Sequence, residues 1–312
     1  MADAGPAPFP VRRLEGFDDL TVVQPGIDWY VARIREGRPF AFLKRTHGFW
    51  DRLCELVDAS DDFRRIVAAA AAPGGAEPTD ADLARAFRIP EDVRKGSLSI
   101  RPQFKGFWEG DFGAELVRDL RRPHAAEGWI EAVAFRGFSR SDEKPAHHPP
   151  EALRDVFLAL RPRNVRFHDA LVFKDAVVDG TFLRVIDALR DLPVVVVGPP
   201  HFADFGERVG LPRFDHVSIH PTKAIRERDS VLSAVEKRIK RLRGAPAAMI
   251  LQAGSLSWWV MHRVFPRGPQ ITYLDVGRAI DVWYPEVVST QPWFRIDREA
   301  IVRNMRLTGH GA

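Results

Sequence analysis

The amino-acid sequence predicts an α/β fold, namely a Rossmann-like, mostly parallel sheet with helices on both faces. After Pro150, short apolar segments alternate with amphipathic helical segments, which is the arrangement expected of successive βαβ units. The segment 193–197 contains four consecutive valines, which is typical of a strand buried on both faces. The composition, with 45% hydrophobic and 28% charged residues, is that of an ordinary globular chain.

Strands are predicted wherever a compact apolar run is bounded by turn residues. In chain order these runs are 39–43, 165–173, 193–197, 214–219, 247–251 and 270–274. Helical periodicity and capping residues predict helices at 27–35, 49–57, 79–87, 151–160, 181–189, 202–209, 226–243 and 255–264. In parallel sheets, ligands bind beyond the carboxyl ends of the strands. We therefore expect the strand ends near 43, 197, 251 and 274 to meet at a single cleft.

The sequence predicts one domain over residues 26–290, preceded by a flexible arm at 1–25 and followed by a C-terminal extension at 291–312. Two polar segments rich in helix breakers, 73–78 and 139–150, lie in the N-terminal half. They predict a helical insertion at about residues 60–150.

Composition and charge restrict the class of protein. No apolar run approaches the roughly 18 residues that a membrane span needs, and the Ala- and Pro-rich residues 1–10 do not resemble a signal peptide. Cys54 is the single cysteine, so no internal disulfide forms, and we expect a small buried side chain in a cytoplasmic protein. The net charge of +4 favours anionic partners such as sugar nucleotides or nucleic acid.

The loops after the predicted strands contain the candidate site residues. Lys44, Arg45 and His47 follow the first strand and can hold phosphate oxygens, although a solvated turn has the same composition. Gly198 and Pro199 follow the valine strand, where a glycine permits close approach of a ligand and a helix N-terminus favours an anion. The alternative is a turn stiffened by proline.

Two further loops have similar features. Gly254 and Ser255 open a predicted helix, so they form either an anion site or an ordinary N-cap at Ser255. Asp275, Gly277 and Arg278 follow the last strand. There Asp275 can contact a ribose or sugar hydroxyl and Arg278 a phosphate; the alternative is a surface ion pair.

Other candidates for chemistry are weaker. Glu109 and Asp111 could act as paired acids or metal ligands, although Asp111 equally suits a helix cap. His216 and His220 lie on a predicted strand about 13 Å apart, too far to share a metal. The basic run 237–243 is either a solvated helix end or a nucleic-acid patch. Standard dinucleotide, P-loop, nucleophile-elbow and zinc-protease motifs are absent from the sequence.

Taken in order, five segments resemble the GT-D-type glycosyltransferases. Residues 37–49 resemble the family's strand followed by an Arg-Phe-Gly-Asp-Gly-Glu-like segment, and residues 193–199 resemble its strand ending in Val-Gly-Pro. Residues 219–224 resemble its Ile-x-x-Pro segment. Residues 249–257 resemble its Leu-x-x-Leu-Gly-Pro-Thr-Ala turn, and residues 271–278 resemble its Ala-x-Asp-x-Gly-His strand end. The order and spacing agree from about residue 30 to 285. The resemblance implies transfer of a sugar from a nucleotide-sugar donor to an acceptor such as a glycan, protein or natural product.

The chain departs from that family at its metal-binding signature. The family's Asp-x-Glu pair, implied to bind a divalent metal and the donor diphosphate, is replaced by His47 and Phe49. Phenylalanine cannot bind a metal, and imidazole is a poor ligand for Mg²⁺ or Mn²⁺. Three interpretations stay open: the cations 44, 45 and 47 replace the metal, Glu109 and Asp111 supply a displaced Mn²⁺ or Mg²⁺ site, or the protein is a non-catalytic binding or regulatory homologue. A nucleic-acid-modifying glycosyltransferase is a further alternative.

Overall fold

The computed structural model of the protein describes residues 9–13, 21–45, 47–72, 74–88, 107, 110–133, 150–162, 165–284 and 287. Nine strands in these ranges form one sheet: β1 (Val11–Arg13), β2 (Thr21–Val23), β3 (Ala41–Arg45), β4 (Trp129–Val133), β5 (Phe167–Asp169), β6 (Val194–Gly198), β7 (Phe214–Ser218), β8 (Ala247–Leu251) and β9 (Ile271–Asp275). Their order is β1-β2-β5-β4-β3-β9-β8-β6-β7. Strand β1 is antiparallel to β2 and the other neighbouring pairs are parallel, which confirms the predicted mostly parallel sheet.

The described ranges contain eleven α-helices and three 3-10 segments. The helices are α1 (Ile27–Arg35), α2 (His47–Ala59), α3 (Asp61–Ala71), α4 (Asp80–Ala86), α5 (Phe112–Arg121), α6 (Pro150–Leu160), α7 (Val172–Asp179), α8 (Phe182–Leu189), α9 (Phe205–Val209), α10 (Arg228–Leu242) and α11 (Ser255–Val264). The 3-10 segments are Pro200–Asp204, Phe265–Arg267 and Ala279–Trp283. None of these helices is long and apolar enough to cross a membrane.

Several local predictions are confirmed. The side chain of Thr79 accepts a hydrogen bond from the backbone of Asp82 and completes a capping box at the start of α4, as the spacing predicts. The valine run forms β6, and its side chains are buried on both faces. The sequence also placed α1, α8 and α11 within a residue or two of their observed bounds.

The structure differs from the predictions at two strands. The strand predicted at 165–173 ends at Asp169, whose carboxylate accepts a hydrogen bond from the Leu171 backbone as the chain turns into α7. The interval predicted as a helical insertion contains α3, α4 and α5 but also β4, a central strand. Strand β4 was missed because Glu131 interrupts its apolar pattern.

The N-terminal residues also contribute to the sheet. Strands β1 and β2 lie in the segment predicted as a flexible arm, and β2 pairs in parallel with β5 through Val22 and Val23. Both valines are buried. Residues 1–8 and 14–20 lie outside the described part of the chain, as does the predicted extension at 291–312.

The helices divide between the two faces of the sheet. Helices α2–α6, α10 and α11 pack on what we term the first face, and α1, α7–α9 and the 3-10 segments Pro200–Asp204 and Ala279–Trp283 pack on the second face. Strand β3 shows the alternation, because Leu43 lies in the core of the first face and Phe42 in the core of the second. The same alternation directs Lys44 and Arg45 to opposite faces.

The crevice between β3 and β9 is a topological switch point. After β3 the chain enters α2 on the first face, whereas after β9 it enters the segment Ala279–Trp283 on the second face. The two connections leave in opposite directions, which is the arrangement that forms a crevice between strand ends in open α/β sheets. Ligands of open α/β sheets bind in such crevices.

A buried ion pair joins the two central strands on the first face. Arg45 donates from Nε to Glu131 at 2.9 Å and from an Nη to the other carboxylate oxygen at 3.1 Å. Both side chains are completely buried. The indole of Trp129 donates to the same carboxylate at 3.0 Å, and the Arg45 guanidinium lies 4.9 Å from the centre of the Trp258 ring.

This pair predicts a specific pattern of stability. Glu131→Leu should lower the free energy of unfolding by about 3–5 kcal/mol because it leaves a buried arginine without its carboxylate. The double variant Arg45→Met/Glu131→Leu should recover most of that loss, since both charges are then gone. Urea denaturation followed by circular dichroism measures both values. Arg184→Met is the matched control, because its pair with Asp28 is exposed and should contribute under about 1 kcal/mol.

Candidate active site at the carboxyl edge of the sheet

Four adjacent strands end at the edge of the sheet where the cleft is predicted. Strands β3, β9, β8 and β6 are consecutive neighbours in the sheet, and all four are parallel. Their carboxyl ends therefore lie side by side at one edge. This confirms the predicted convergence of these strand ends.

Lys44 has the most unusual environment at this edge. Its side chain is only 7% exposed, and no ion pair or hydrogen bond joins its ammonium group to another residue in the described ranges. Burial lowers the pKa of Lys44, an effect that the nearby carboxylate of Asp275 partly opposes. An ammonium group removed from water without a direct partner favours an anionic ligand.

Asp275 ends β9 beside Lys44. Its carboxylate accepts hydrogen bonds from the Trp258 indole at 2.7 Å and from the Gly277 backbone at 3.0 Å. Burial raises the pKa of Asp275 to about 6, although those two donors and the charge of Lys44 act in the opposite direction. For both residues, the cost of burial exceeds the attraction between them.

Gly277 allows Lys44 to lie against the backbone of the next loop. Its φ of +59° lies in the left-handed region that glycine adopts without strain. A Cβ at this position would be 2.8 Å from the Lys44 ammonium nitrogen and 3.1 Å from its Cδ. The glycine is therefore required for the observed position of the lysine side chain.

Lys44 and Arg45 were predicted to follow the strand but are its last two residues, because β3 continues to Arg45. The other two predicted cations are placed differently from Lys44. Arg45 points into the first face and is neutralised by Glu131, so its guanidinium belongs to the core and not to the cleft. This placement corrects the prediction that Arg45 holds a phosphate. His47 is the first residue of α2, at a helix N-terminus, and its side chain lies outside the described structure.

The glycine loops lie at the ends of β6 and β8. Gly198 packs against the ring of Phe202, and Pro199 precedes the 3-10 segment Pro200–Asp204. Gly254, with a φ of +57°, occupies the N-cap of α11, so Ser255 is the first helical residue. The alternative of Ser255 as N-cap is therefore wrong. The hydroxyl of Ser257 accepts a hydrogen bond from the backbone N–H of Ala253.

A polar cluster that the sequence did not predict adjoins these loops. Asp281 is 3% exposed and accepts hydrogen bonds from the Gln252 amide and from Arg278. Arg278 was predicted to contact a phosphate, with a surface ion pair as the alternative; it does form an ion pair, but with a buried carboxylate. Gln252 follows β8 directly, and this position after a strand was the one available signal in the sequence.

No metal site emerges from the described residues. No group of three His, Cys, Asp or Glu side chains there is placed to hold a metal ion. Asp111 is exposed at the N-cap position of α5 without a capping bond from its side chain, and Glu109 lies outside the described ranges. His216 lies in β7, as predicted, and its ring contacts the Gly198 carbonyl at 3.1 Å.

Two other features lie away from the cleft. The basic run 237–243 forms the C-terminal part of α10, which leads to the amino end of β8 and hence to the opposite edge of the sheet.

A surface cleft of about 600 Å³ lies between α5, α10 and α11. Some of its charged groups are paired with one another, as Arg263 is with Glu115 and Asp119.

Cys54 is buried in α2, as expected. Burial and the carboxylates of Asp51 and Asp58 raise the pKa of its thiol well above the usual range. The thiol therefore stays protonated and unreactive near neutral pH.

Comparison with solved structures identifies the fold. A selenomethionine-substituted structure of domain of unknown function 1792 matches with a TM-score of 0.50 and 9% identity, over 86% of this chain and 82% of that chain. A second structure of that domain, described as having a distinct glycosyltransferase fold, matches with a TM-score of 0.43 and 11% identity, over 83% of this chain and 85% of that chain.

Comparison of the amino-acid sequence with protein families and curated proteins assigns neither a family nor a function. No family model matches the chain, and no curated protein matches it. The likeness to the first structure shows that this protein has the fold of domain of unknown function 1792. The predicted α/β, Rossmann-like fold is therefore confirmed, whereas activity depends on the site and does not follow from the fold.

The environment of Asp275 predicts a pH dependence of stability. A carboxyl group whose pKa is higher in the folded state stabilises the fold when protonated, and this contribution is lost as pH rises from about 4 to about 6. Relative to Asp275→Asn, the wild-type protein should lose about 2–3 kcal/mol of unfolding free energy across that interval. Urea denaturation at several pH values measures the difference. A difference that does not vary with pH would show that Asp275 titrates normally.

Proposed function

We propose that the protein transfers a sugar from a nucleotide-sugar donor to an acceptor, with the donor diphosphate bound in the crevice between β3 and β9. The observation that supports this most strongly is Lys44, a nearly buried ammonium group without a direct partner among the described residues. A diphosphate would give this ammonium group a direct anionic partner, which the carboxylates near it do not provide. The fold supports the same class of reaction, since the resemblance implies glycosyl transfer.

Lys44 acts on the leaving group in this proposal. The bond between the anomeric carbon and the phosphate oxygen breaks, an acceptor oxygen bonds to that carbon, and the acceptor proton passes to a base. Negative charge grows on the departing diphosphate. A fixed cation within a water-poor crevice stabilises the charge that develops in the transition state more than it stabilises the intact donor. This difference lowers the barrier.

The neighbouring residues position this cation and the donor. The carboxylate of Asp275 partly opposes the lowering of the Lys44 pKa by burial, and Gly277 makes room for the lysine side chain. His47 lies at the start of α2, where a helix N-terminus favours an anion, and it would hold or protonate the diphosphate. The nucleoside would lie over the loops that contain Gly198, Pro199, Gly254 and Ser255, with Arg278 beside it.

The residues present do not fit the divalent metal of the related enzymes. Phe49 stands in place of a carboxylate and is 2% exposed, with its ring centre 5.1 Å from that of Trp258 in the core of the first face. A side chain packed in this way offers no ligand. We therefore assign charge stabilisation to Lys44 and derive no step through a metal.

A non-catalytic binding protein is the second candidate function. The same Lys44 environment would retain a nucleotide diphosphate without turnover, and the loss of the Asp-x-Glu signature favours this alternative. Incubation with a panel of nucleotide sugars, followed by chromatographic measurement of released nucleoside diphosphate, distinguishes the two. Release above the rate without protein supports transfer or slow donor hydrolysis; thermal stabilisation by the same ligands without release supports binding alone.

Replacement of Lys44 tests the diphosphate site directly. Lys44→Ala should weaken binding of a nucleoside diphosphate by roughly 1.5–3 kcal/mol, the contribution of a hydrogen bond to a charged group. Binding of the corresponding nucleoside should change little. Isothermal titration calorimetry measures both affinities. Lys240→Ala, an exposed lysine on α10, is the control and should bind as wild type. Equal diphosphate affinities for all three proteins would refute the assignment.

Chelation tests the absence of a metal from the diphosphate site. Nucleoside diphosphate affinity should change less than about twofold when EDTA is added, because Lys44 and not a metal supplies the positive charge. The measurement is a titration with and without EDTA, repeated with added Mn²⁺. Loss of most of the affinity on chelation would mean that a metal site exists, with Glu109 and Asp111 the first residues to replace.

A further inference from the structure

Gln252 has an amide group whose orientation is fixed. Its nitrogen donates to one carboxylate oxygen of Asp281, and Arg278 donates to the other. A carboxylate only accepts hydrogen bonds, so the nitrogen of the amide must face Asp281 and the carbonyl oxygen must face away. Asp281 is 3% exposed, which keeps this arrangement away from competing water.

The carbonyl oxygen of Gln252 is an acceptor without a donor. It is buried, and it has no hydrogen-bond partner among the described residues. Buried polar atoms in native proteins are almost always hydrogen bonded, and an exception requires a structural or functional explanation. A ligand group that donates a hydrogen bond would satisfy this oxygen.

The position of Gln252 fits the nucleoside half of the proposed donor. Gln252 follows β8, and β9 lies between β8 and β3, the strand of Lys44. Two strand spacings correspond to about 9.5 Å. A nucleoside attached to a diphosphate at Lys44 can therefore reach the loop of Gln252, close to Gly254.

We propose that Gln252 is a specificity-determining residue that accepts a hydrogen bond from the nucleoside, and that Asp281 is the positioning residue that orients it. The inference rests on the proposed function. The group recognised is a hydrogen-bond donor, either a ribose hydroxyl or a ring N–H such as that of uracil or guanine. A ring nitrogen that only accepts, as in cytosine or adenine, would face the carbonyl oxygen unfavourably.

The test compares nucleotides on three proteins. Calorimetric affinities are measured for UDP, GDP, CDP and ADP, and then for the 2′-deoxy, 3′-deoxy and ring-N-methyl analogues of the tightest. In the wild-type protein one of these analogues should bind at least about tenfold more weakly than its parent nucleotide. In Gln252→Met, which keeps the length of the side chain but removes the acceptor, that analogue and its parent should bind equally.

A second variant and a control complete the experiment. Asp281→Asn should reduce the preference, because the amide of Gln252 can then rotate, and it provides the test if Gln252→Met does not fold. Gln270→Met, an exposed glutamine before β9, should keep the wild-type preference.

The outcomes separate the two proposals. If a nucleoside diphosphate binds in a Lys44-dependent way but Gln252→Met retains the wild-type preference among analogues, the role of Gln252 is refuted and the proposed function stands. If none of the four nucleoside diphosphates binds, the proposed function falls and takes this inference with it.

Discussion

The removal of the Lys44 ammonium from water is the constraint on which the site depends. Lys44 is the next-to-last residue of the central strand β3. Asp275 supplies negative charge near it, and Gly277 has no side chain where the lysine lies. Neither neighbour forms a direct ion pair with it. A protein that keeps such a charge buried incurs a desolvation cost, and an anionic ligand offsets that cost.

The alternation of side chains along β3 separates a structural from a functional cation. Arg45 enters the first face, where Glu131 and Trp258 surround it, while Lys44 remains at the edge of the sheet. Trp258 links the two regions, because its ring stacks near Arg45 and its indole nitrogen donates to Asp275. Helix α11 therefore fixes the position of the Asp275 carboxylate as part of core packing.

The sequence predicted most of the strands that bury apolar side chains, and it named Lys44, Asp275 and Gly277 as candidates because they lie at or just after strand ends. It did not predict β4, because Glu131 looks like a solvent-facing residue until Arg45, 86 residues earlier, is known to neutralise it. The contact between Gln252 and Asp281, 29 residues apart, has no local signature either. Pairing between distant polar residues is decided by tertiary structure, which periodicity and spacing do not encode.

The most direct test of the account measures the titration of Lys44 itself. With lysine labelled at ¹³Cε and the resonance assigned by its loss in Lys44→Met, NMR follows the pKa of Lys44 with and without pyrophosphate. We expect a Lys44 pKa below the ordinary lysine value in the free protein and a clear rise when pyrophosphate binds, because an anion beside the ammonium group favours its charged form. A Lys44 pKa that pyrophosphate leaves unchanged at saturating concentration would contradict it.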